Sequence, residues 1–232
     1  MSAQKFIAGL CEEDYDEAIS NPRSPRSLHS LAKTNRTQLN MTKPKPKVDI
    51  YEEPLRTIPH NVFRDNNPEY DELEKRPRMP VVVLFDNIRS MFNVGSMFRT
   101  ADGAWLEEII ICGYTASPPR KEIAKTALGA EYSVPWRFVP NAVDALRALK
   151  QRGYTAIALE HTTQSRSYTQ LEYDFPLVFV VGNEGVGIQD EIVQECDFAV
   201  ELPQNGMKSS MNVAVAFGIM LYELRRQWDL KQ

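Results

Sequence analysis

Residues 177–224 constrain the fold more than any other stretch, because they read apolar run, glycine turn, apolar run, polar loop and long helix in that order. Leu177, Val178, Phe179, Val180 and Val181 form a continuous β-prone run, the pattern of a strand covered on both faces. The run stops at Gly182-Asn183-Glu184-Gly185-Val186-Gly187, where three glycines in six residues force a sharp turn or a close approach. A second run, Phe198 to Leu202, is ended by Pro203 and opens into a polar loop from Gln204 to Asn212. Beyond it Val213, Phe217, Met220, Leu221 and Leu224 recur at helical spacing, which gives the last helix an apolar face. Two strand ends, each followed by a loop rich in glycine or amide side chains, describe a pocket at the carboxyl edge of a parallel sheet, where open α/β sheets bind ligands. Neither loop is a dinucleotide fingerprint or a P-loop.

The same alternation holds upstream. Val81-Val82-Val83-Leu84-Phe85 predicts a strand ending at Asp86-Asn87. After it, Asn93-Val94-Gly95-Ser96-Met97-Phe98-Arg99-Thr100-Ala101-Asp102-Gly103 predicts a helix with Phe92, Ser96, Arg99 and Gly103 along one face and Gly103 at its end. Further strands are expected over residues 108–112, 134–139 and 155–159, with a short helix over 121–128. Asn141 is placed to cap a helix that runs to Arg152 with Val143, Leu146 and Leu149 inward. Strands alternating with helices imply an α/β fold with a mostly parallel sheet flanked by helices.

Nine of the 15 prolines precede Val81 and ten of the 11 glycines follow it. Residues 1–78 therefore read as an N-terminal extension, largely disordered or loosely packed, and residues 79–232 as a folded domain. Within the extension, residues 22–47 hold seven basic residues and no acid, a run suited to contacting phosphates or to lying as a solvated tail. From Val81 onward there are 14 basic and 18 acidic residues, a balance that argues against strong nucleic-acid backbone binding by the domain alone. Cys11, Cys112 and Cys196 have no paired spacing and the three histidines are scattered, so neither a disulfide framework nor a metal site is expected. No apolar run reaches transmembrane length, and the expectation is a soluble, cytoplasmic protein with no membrane partner.

Each polar constellation has a plain account when it stands alone. Asn93-x-Gly95-x-x-x-Arg99 reads as a capped helix with a surface arginine, and Glu184 as a carboxylate on a left-handed turn. Ser210 and Asn212 each read as the N-cap of the last helix, an account that serves one of them but not both.

Taken together, these stretches match a known family in order and spacing. The first motif runs Asn93-Val94-Gly95-Ser96-Met97-Phe98-Arg99-Thr100-Ala101-Asp102, and the second is Leu177 to Val181 followed by Gly182-Asn183-Glu184-Gly185-Val186-Gly187. The third is Leu202-Pro203, Gly206 and then Ser210-Met211-Asn212-Val213-Ala214-Val215-Ala216. The segment from Val81 to Leu224 thus resembles the SpoU (TrmH) branch of the SPOUT RNA methyltransferases. It departs from the family pattern at Gln204, Met211 and Ala214, where methionine, leucine and serine are usual.

The resemblance implies a C-terminal deep trefoil knot, formed by the second and third motifs, in which S-adenosyl-L-methionine binds. It assigns Leu159, Gly182, Asn183, Gly187, Leu202 and Met211 to the cofactor, the glycines keeping side chains clear of it. Arg99, Asn93, Glu184, Ser210 and Asn212 are assigned to the catalytic centre. The implied reaction is methyl transfer to a ribose 2′-hydroxyl in tRNA or rRNA, without a metal, by a homodimer joined through the motif-one and C-terminal helices. A guanidinium stays protonated, so the part expected of Arg99 is to hold the adjacent phosphate and stabilise charge on the ribose oxygen, from its own or the partner subunit. Asn93 is expected to orient that arginine or the ribose. The alternative is a non-catalytic RNA-binding protein that retains the fold, against which the intact polar residues count.

Overall fold

The computed structural model describes residue 57, residues 70–73 and residues 75–232. Most of the 1–78 extension, with the basic run 22–47, lies outside the described residues. After one helical turn, α1 (Tyr70–Leu73), the chain alternates as the hydrophobic runs require. The elements are β1 (Met79–Asp86), α2 (Met91–Ala104), β2 (Leu106–Cys112), α3 (Lys121–Ala127), α4 (Ala130–Ser133), β3 (Trp136–Val139) and α5 (Ala142–Gln151). They continue with β4 (Thr155–Leu159), β5 (Arg166–Ser167), β6 (Leu177–Val181), α6 (Asp190–Glu195), β7 (Phe198–Glu201) and α7 (Val213–Leu230).

The strands form one seven-stranded sheet in the order β3-β2-β1-β6-β4-β7-β5, and every pairing is parallel. The two apolar runs that have no alternation, β1 and β6, are central neighbours with Val81 opposite Leu177 and Phe85 opposite Val181. All of β6 is buried, as a strand covered on both faces must be. One face carries Val83, Phe85, Phe179 and Val181 against α2 and α7. There Phe217 stacks on Phe179 with 5.7 Å between centroids and meets Phe85 edge-on at 5.9 Å. The other face carries Val82, Leu84, Val178 and Val180 against Leu146 and Leu149 of α5 and Ile192 of α6.

Asn141 caps α5 as expected, its side chain accepting from the backbone N–H groups of Val143 and Asp144. Gly103 does not end α2. The helix continues to Ala104, and Trp105 takes the left-handed cap at φ 54°, its N–H returning to the Ala101 and Asp102 carbonyls. Gly103 is small for another reason: a Cβ there would lie 2.9 Å from the Tyr222 hydroxyl of α7. Gly95, one turn into α2, is pressed against α3 so closely that a Cβ would overlap Thr126 Oγ and the Ile123 carbonyl oxygen.

Candidate active site

The first two motifs meet at the carboxyl edge of β1 and β6. Past β6 the chain turns back on itself, with Asn183 and Gly187 exchanging two backbone hydrogen bonds of 3.2 and 2.9 Å. Asn183 is buried, and its side chain holds the turn: Oδ1 accepts from the N–H groups of Gly185 and Val186, and Nδ2 donates to the Asn87 carbonyl at 2.9 Å and to the Tyr114 hydroxyl. The glycines serve the same turn. A Cβ on Gly182 would come within 2.6 Å of the Gly187 carbonyl carbon and the Ile188 nitrogen. Gly187, at φ 75°, lies so near Glu160 that a Cβ would be 2.5 Å from Oε2. Close approach is real here, but what approaches is the protein's own backbone and the Glu160 carboxylate, whose Oε2 also accepts from the Ile188 N–H at 3.0 Å.

The turn delivers Glu184 to the start of α2. Its carboxylate accepts from the backbone N–H groups of Arg89 (2.8 Å) and Ser90 (3.0 Å) and from the Asn93 side-chain amide (2.8 Å). The exposed donors that precede a helix are thereby satisfied by a carboxylate from a distant loop, where the helix dipole also favours negative charge. Burial would push the Glu184 carboxyl up, but the hydrogen bonds from Arg89, Asn93, its own N–H and Ser90 outweigh it and hold the group below the usual carboxylate range. This contribution to stability is fully present above the ordinary glutamate pKa and is lost as pH falls through the lower folded value.

Asn93 extends the chain of contacts to the third motif. Its Oδ1 accepts from Asn212 Nδ2 at 3.1 Å, and Asn212 Oδ1 caps α7 by accepting from the N–H groups of Ala214 and Val215. One network, Glu184–Asn93–Asn212, therefore ties Asn93 to two segments that lie 91 and 119 residues further along the chain. Asn93 orients Glu184 and Asn212 and makes no contact with Arg99.

The structure separates the other two polar candidates from this network. Arg99 is exposed on the outer side of α2, and among the described residues its guanidinium joins no hydrogen bond or ion pair. Six residues of helix put it about 9 Å along the axis from Asn93. Ser210 is exposed in the loop 203–210 and likewise makes no hydrogen bond, so Asn212 alone is the cap.

Leu159 and Leu202 close the carboxyl ends of the neighbouring strands β4 and β7, both half-buried. By the two-residue period they share the sheet face of Ile157 and Val200, the face that α7 covers, and the half-buried Met211 leads directly into α7. Among the described residues the backbone of 203–211, beside them, hydrogen-bonds to no other backbone group. Apolar side chains next to uncommitted backbone donors and acceptors suit a nucleoside, which needs a flat apolar contact and polar edges. A separate cleft of about 660 Å³, lined by Glu160, His161, Thr162, Val186 and Ile188, opens on the α6 side of the same strand ends.

The profile of the SpoU rRNA Methylase family matches residues 80–222, all of the sheet and most of α7. The chain belongs to the SpoU family. A 23S rRNA (guanosine-2′-O-)-methyltransferase from Pseudomonas aeruginosa is 32% identical over 169 residues, 73% of this chain and 67% of the relative. Among solved structures, the TrmH/SpoU tRNA modifying enzyme of A. aeolicus superposes with a TM-score of 0.64 at 30% identity, covering 70% of this chain and 82% of the other. An AdoMet-bound rRNA methyltransferase from Sinorhizobium meliloti gives 0.60 at 31% identity, covering 66% and 59%.

In this SpoU chain two participants escape a reading of motifs alone. Ser90 caps α2, its Oγ accepting from the Asn93 N–H at 3.3 Å, and the serine three residues before the motif was a legible capping signal. Glu160 had no such signal, since its value lies in where Gly187 returns.

Proposed function

We infer that this SpoU-family protein transfers a methyl group from S-adenosyl-L-methionine to a ribose 2′-hydroxyl in tRNA or rRNA. The observation that carries the reading is the Glu184–Asn93–Asn212 network, which joins the three motifs of the family in one place at the strand ends. S-adenosyl-L-methionine supplies a sulfonium methyl group. Leu159, Leu202 and Met211 are the side chains that would hold its adenosine, with backbone groups of the 203–211 loop at the polar edges. Gly182, Asn183 and Gly187 act beneath them by fixing the turn.

The acceptor oxygen must be aligned with the methyl carbon and must shed its proton. Arg99 keeps its own proton, so it serves as a cation: it grips the phosphate beside the target ribose and stabilises charge as it develops on the oxygen. Asn93, Glu184 and Asn212 are positioning residues that lock the start of α2 to the loops on either side. Ser210, exposed on its loop, faces incoming nucleotide rather than the network.

Three further parts of the reading rest on the same surface. The chain is a homodimer through α2 and α7, supported by the exposed apolar residues Phe92, Val215 and Tyr222 on those two helices. The C-terminal segment is knotted, supported by Gln227 of α7, whose amide donates to the Leu171 carbonyl and accepts from the Tyr173 N–H, both on the β4–β6 connection. The enzyme is cytoplasmic, supported by the free thiols of Cys112 and Cys196; among the described residues no helix is long and apolar enough to cross a membrane.

Incubation with labelled S-adenosylmethionine and either total tRNA or rRNA, followed by nuclease digestion, is expected to yield a 2′-O-methylated nucleoside from one pool. Cofactor binding without incorporation into either pool would favour the non-catalytic alternative. The 79–232 domain is read as sufficient for cofactor binding, with the basic run 22–47 adding phosphate contacts. Removal of residues 1–47 should then weaken RNA binding and flatten its salt dependence while cofactor affinity holds; unchanged RNA affinity would exclude a role for the arm.

A further inference from the structure

The body is acidic, yet its cations are sorted. Of the 14 arginines and lysines from Val81 onward, Arg137, Arg147, Lys150, Arg152, Arg225, Arg226 and Lys231 are paired with carboxylates. Among the described residues the other seven have no acidic partner: Arg166 and Lys208 stand apart, in β5 and the 203–210 loop, whereas Arg89, Arg99, Arg120, Lys121 and Lys125 lie together on α2, α3 or the loops that lead into them. Solvated lysines need no partner, and Glu122 shares α3 with them, but five cations gathered on two packed helices and their leading loops, against few acids there, give that side of the molecule a local positive excess.

The packing brings that field to the site. Helix α3 crosses α2 near its start: Thr126 Oγ donates to the Phe92 carbonyl at 2.9 Å, and both Thr126 and the Ile123 carbonyl abut Gly95. Lys125 therefore sits at the start of α2, its Nζ 5.8 Å from the Phe92 ring centre, with Lys121 one turn away on the same helix. Arg89 stands on the other side, its guanidinium against Gly185 of the motif-two turn. Beyond these cations apolar surface is left open, with Leu128 66% and Tyr132 82% exposed. Cations beside exposed apolar and aromatic side chains suit an unpaired RNA strand, which sets phosphate on one and base on the other.

We propose that the outer face of α3, through Lys121 and Lys125, holds the phosphate backbone of a single-stranded segment of the RNA substrate and leads its target ribose to Arg99. This rests on the RNA methyltransferase reading and adds the part of the body that grips the RNA. The acidic total of the body is then a weaker objection, because the phosphates meet the side where unpaired cations outnumber acids.

The test is K121E/K125E in the full-length chain, with filter binding of total tRNA and of rRNA across a salt series. A control, R147E/R152E, makes the same change in net charge on the opposite face of the sheet. The expected result is RNA affinity about tenfold or more weaker and a log–log salt slope shallower by about two for K121E/K125E. Cofactor affinity and melting temperature should match the parent, since neither lysine is buried or paired. Unchanged RNA affinity, or an equal loss in the control, would overturn the proposal. A changed mass in light scattering would also overturn it, by assigning the face to a second copy of the chain. These outcomes leave the reaction itself standing if the parent still methylates one pool, whereas a parent that binds and methylates neither removes the reading beneath it.

Discussion

Arg99→Ala is expected to lower methyl transfer by roughly 10²–10³-fold, the scale of losing one preorganised group that stabilises an oxyanion. Cofactor affinity should stay within about twofold, because Arg99 lies on the outer side of α2 and the residues assigned to adenosine lie at the ends of β4 and β7. Stability should not move either, since the guanidinium makes no hydrogen bond or ion pair among the described residues. This separation makes the experiment decisive: a fall in turnover without a fall in melting temperature or cofactor affinity places the residue at the acceptor. Arg99→Lys sharpens it. A lysine restores the charge but not the two-pronged grip on a phosphate, so a cationic role predicts partial recovery. Loss of cofactor affinity as the main effect of Arg99→Ala would mean that the residue serves the other substrate.

The contrast between Arg99 and Asn93 shows where sequence stopped being informative. Both lie in one motif, and the resemblance implied that Asn93 orients the arginine or the ribose. Spacing within a helix fixes which residues share a face, but the partners of Asn93 come from loops far away in the chain. The strands were legible because their apolar runs have no alternation, so burial on both faces was the only arrangement open to them. Residues 155–159 and 177–181 appear as strands with the expected limits. Helix ends were less legible: Gly103 carried the signal of a cap, and the cap fell to Trp105, because a glycine on a helix surface can equally well mark a neighbouring helix. The motif-two glycines were expected to mark a sharp turn or a close approach, and Gly182 and Gly187 do. What crowds them, the returning backbone at Gly182 and Glu160 at Gly187, depends on tertiary geometry that no local pattern encodes.

The same reasoning about glycines gives the largest expected effect on stability, at Gly95. Alanine is the better helix former by about 1 kcal/mol, so propensity alone would make Gly95→Ala stabilising. Packing opposes it. The added methyl would overlap Thr126 Oγ, which a rotamer change could relieve, but also the Ile123 carbonyl oxygen, which is backbone and cannot turn away. Helix α3 must then move as a body, at the upper end of the ~1–3 kcal/mol typical of overpacking or beyond it. The net is a loss of about 2 kcal/mol, or a melting temperature lower by about 4–8 °C for a domain of this size. Gly103→Ala, in the same helix, is the comparison. There the new methyl meets only the Tyr222 hydroxyl at 2.9 Å, the far end of a side chain and not backbone, so a small rotation relieves it, the propensity gain should survive and the melting temperature should hold or rise. Equal melting temperatures for Gly95→Ala and Gly103→Ala would show that α3 yields freely. Since α3 carries Lys121 and Lys125 and donates from Thr126 to the Phe92 carbonyl, a shift of α3 should also weaken RNA binding more than cofactor binding.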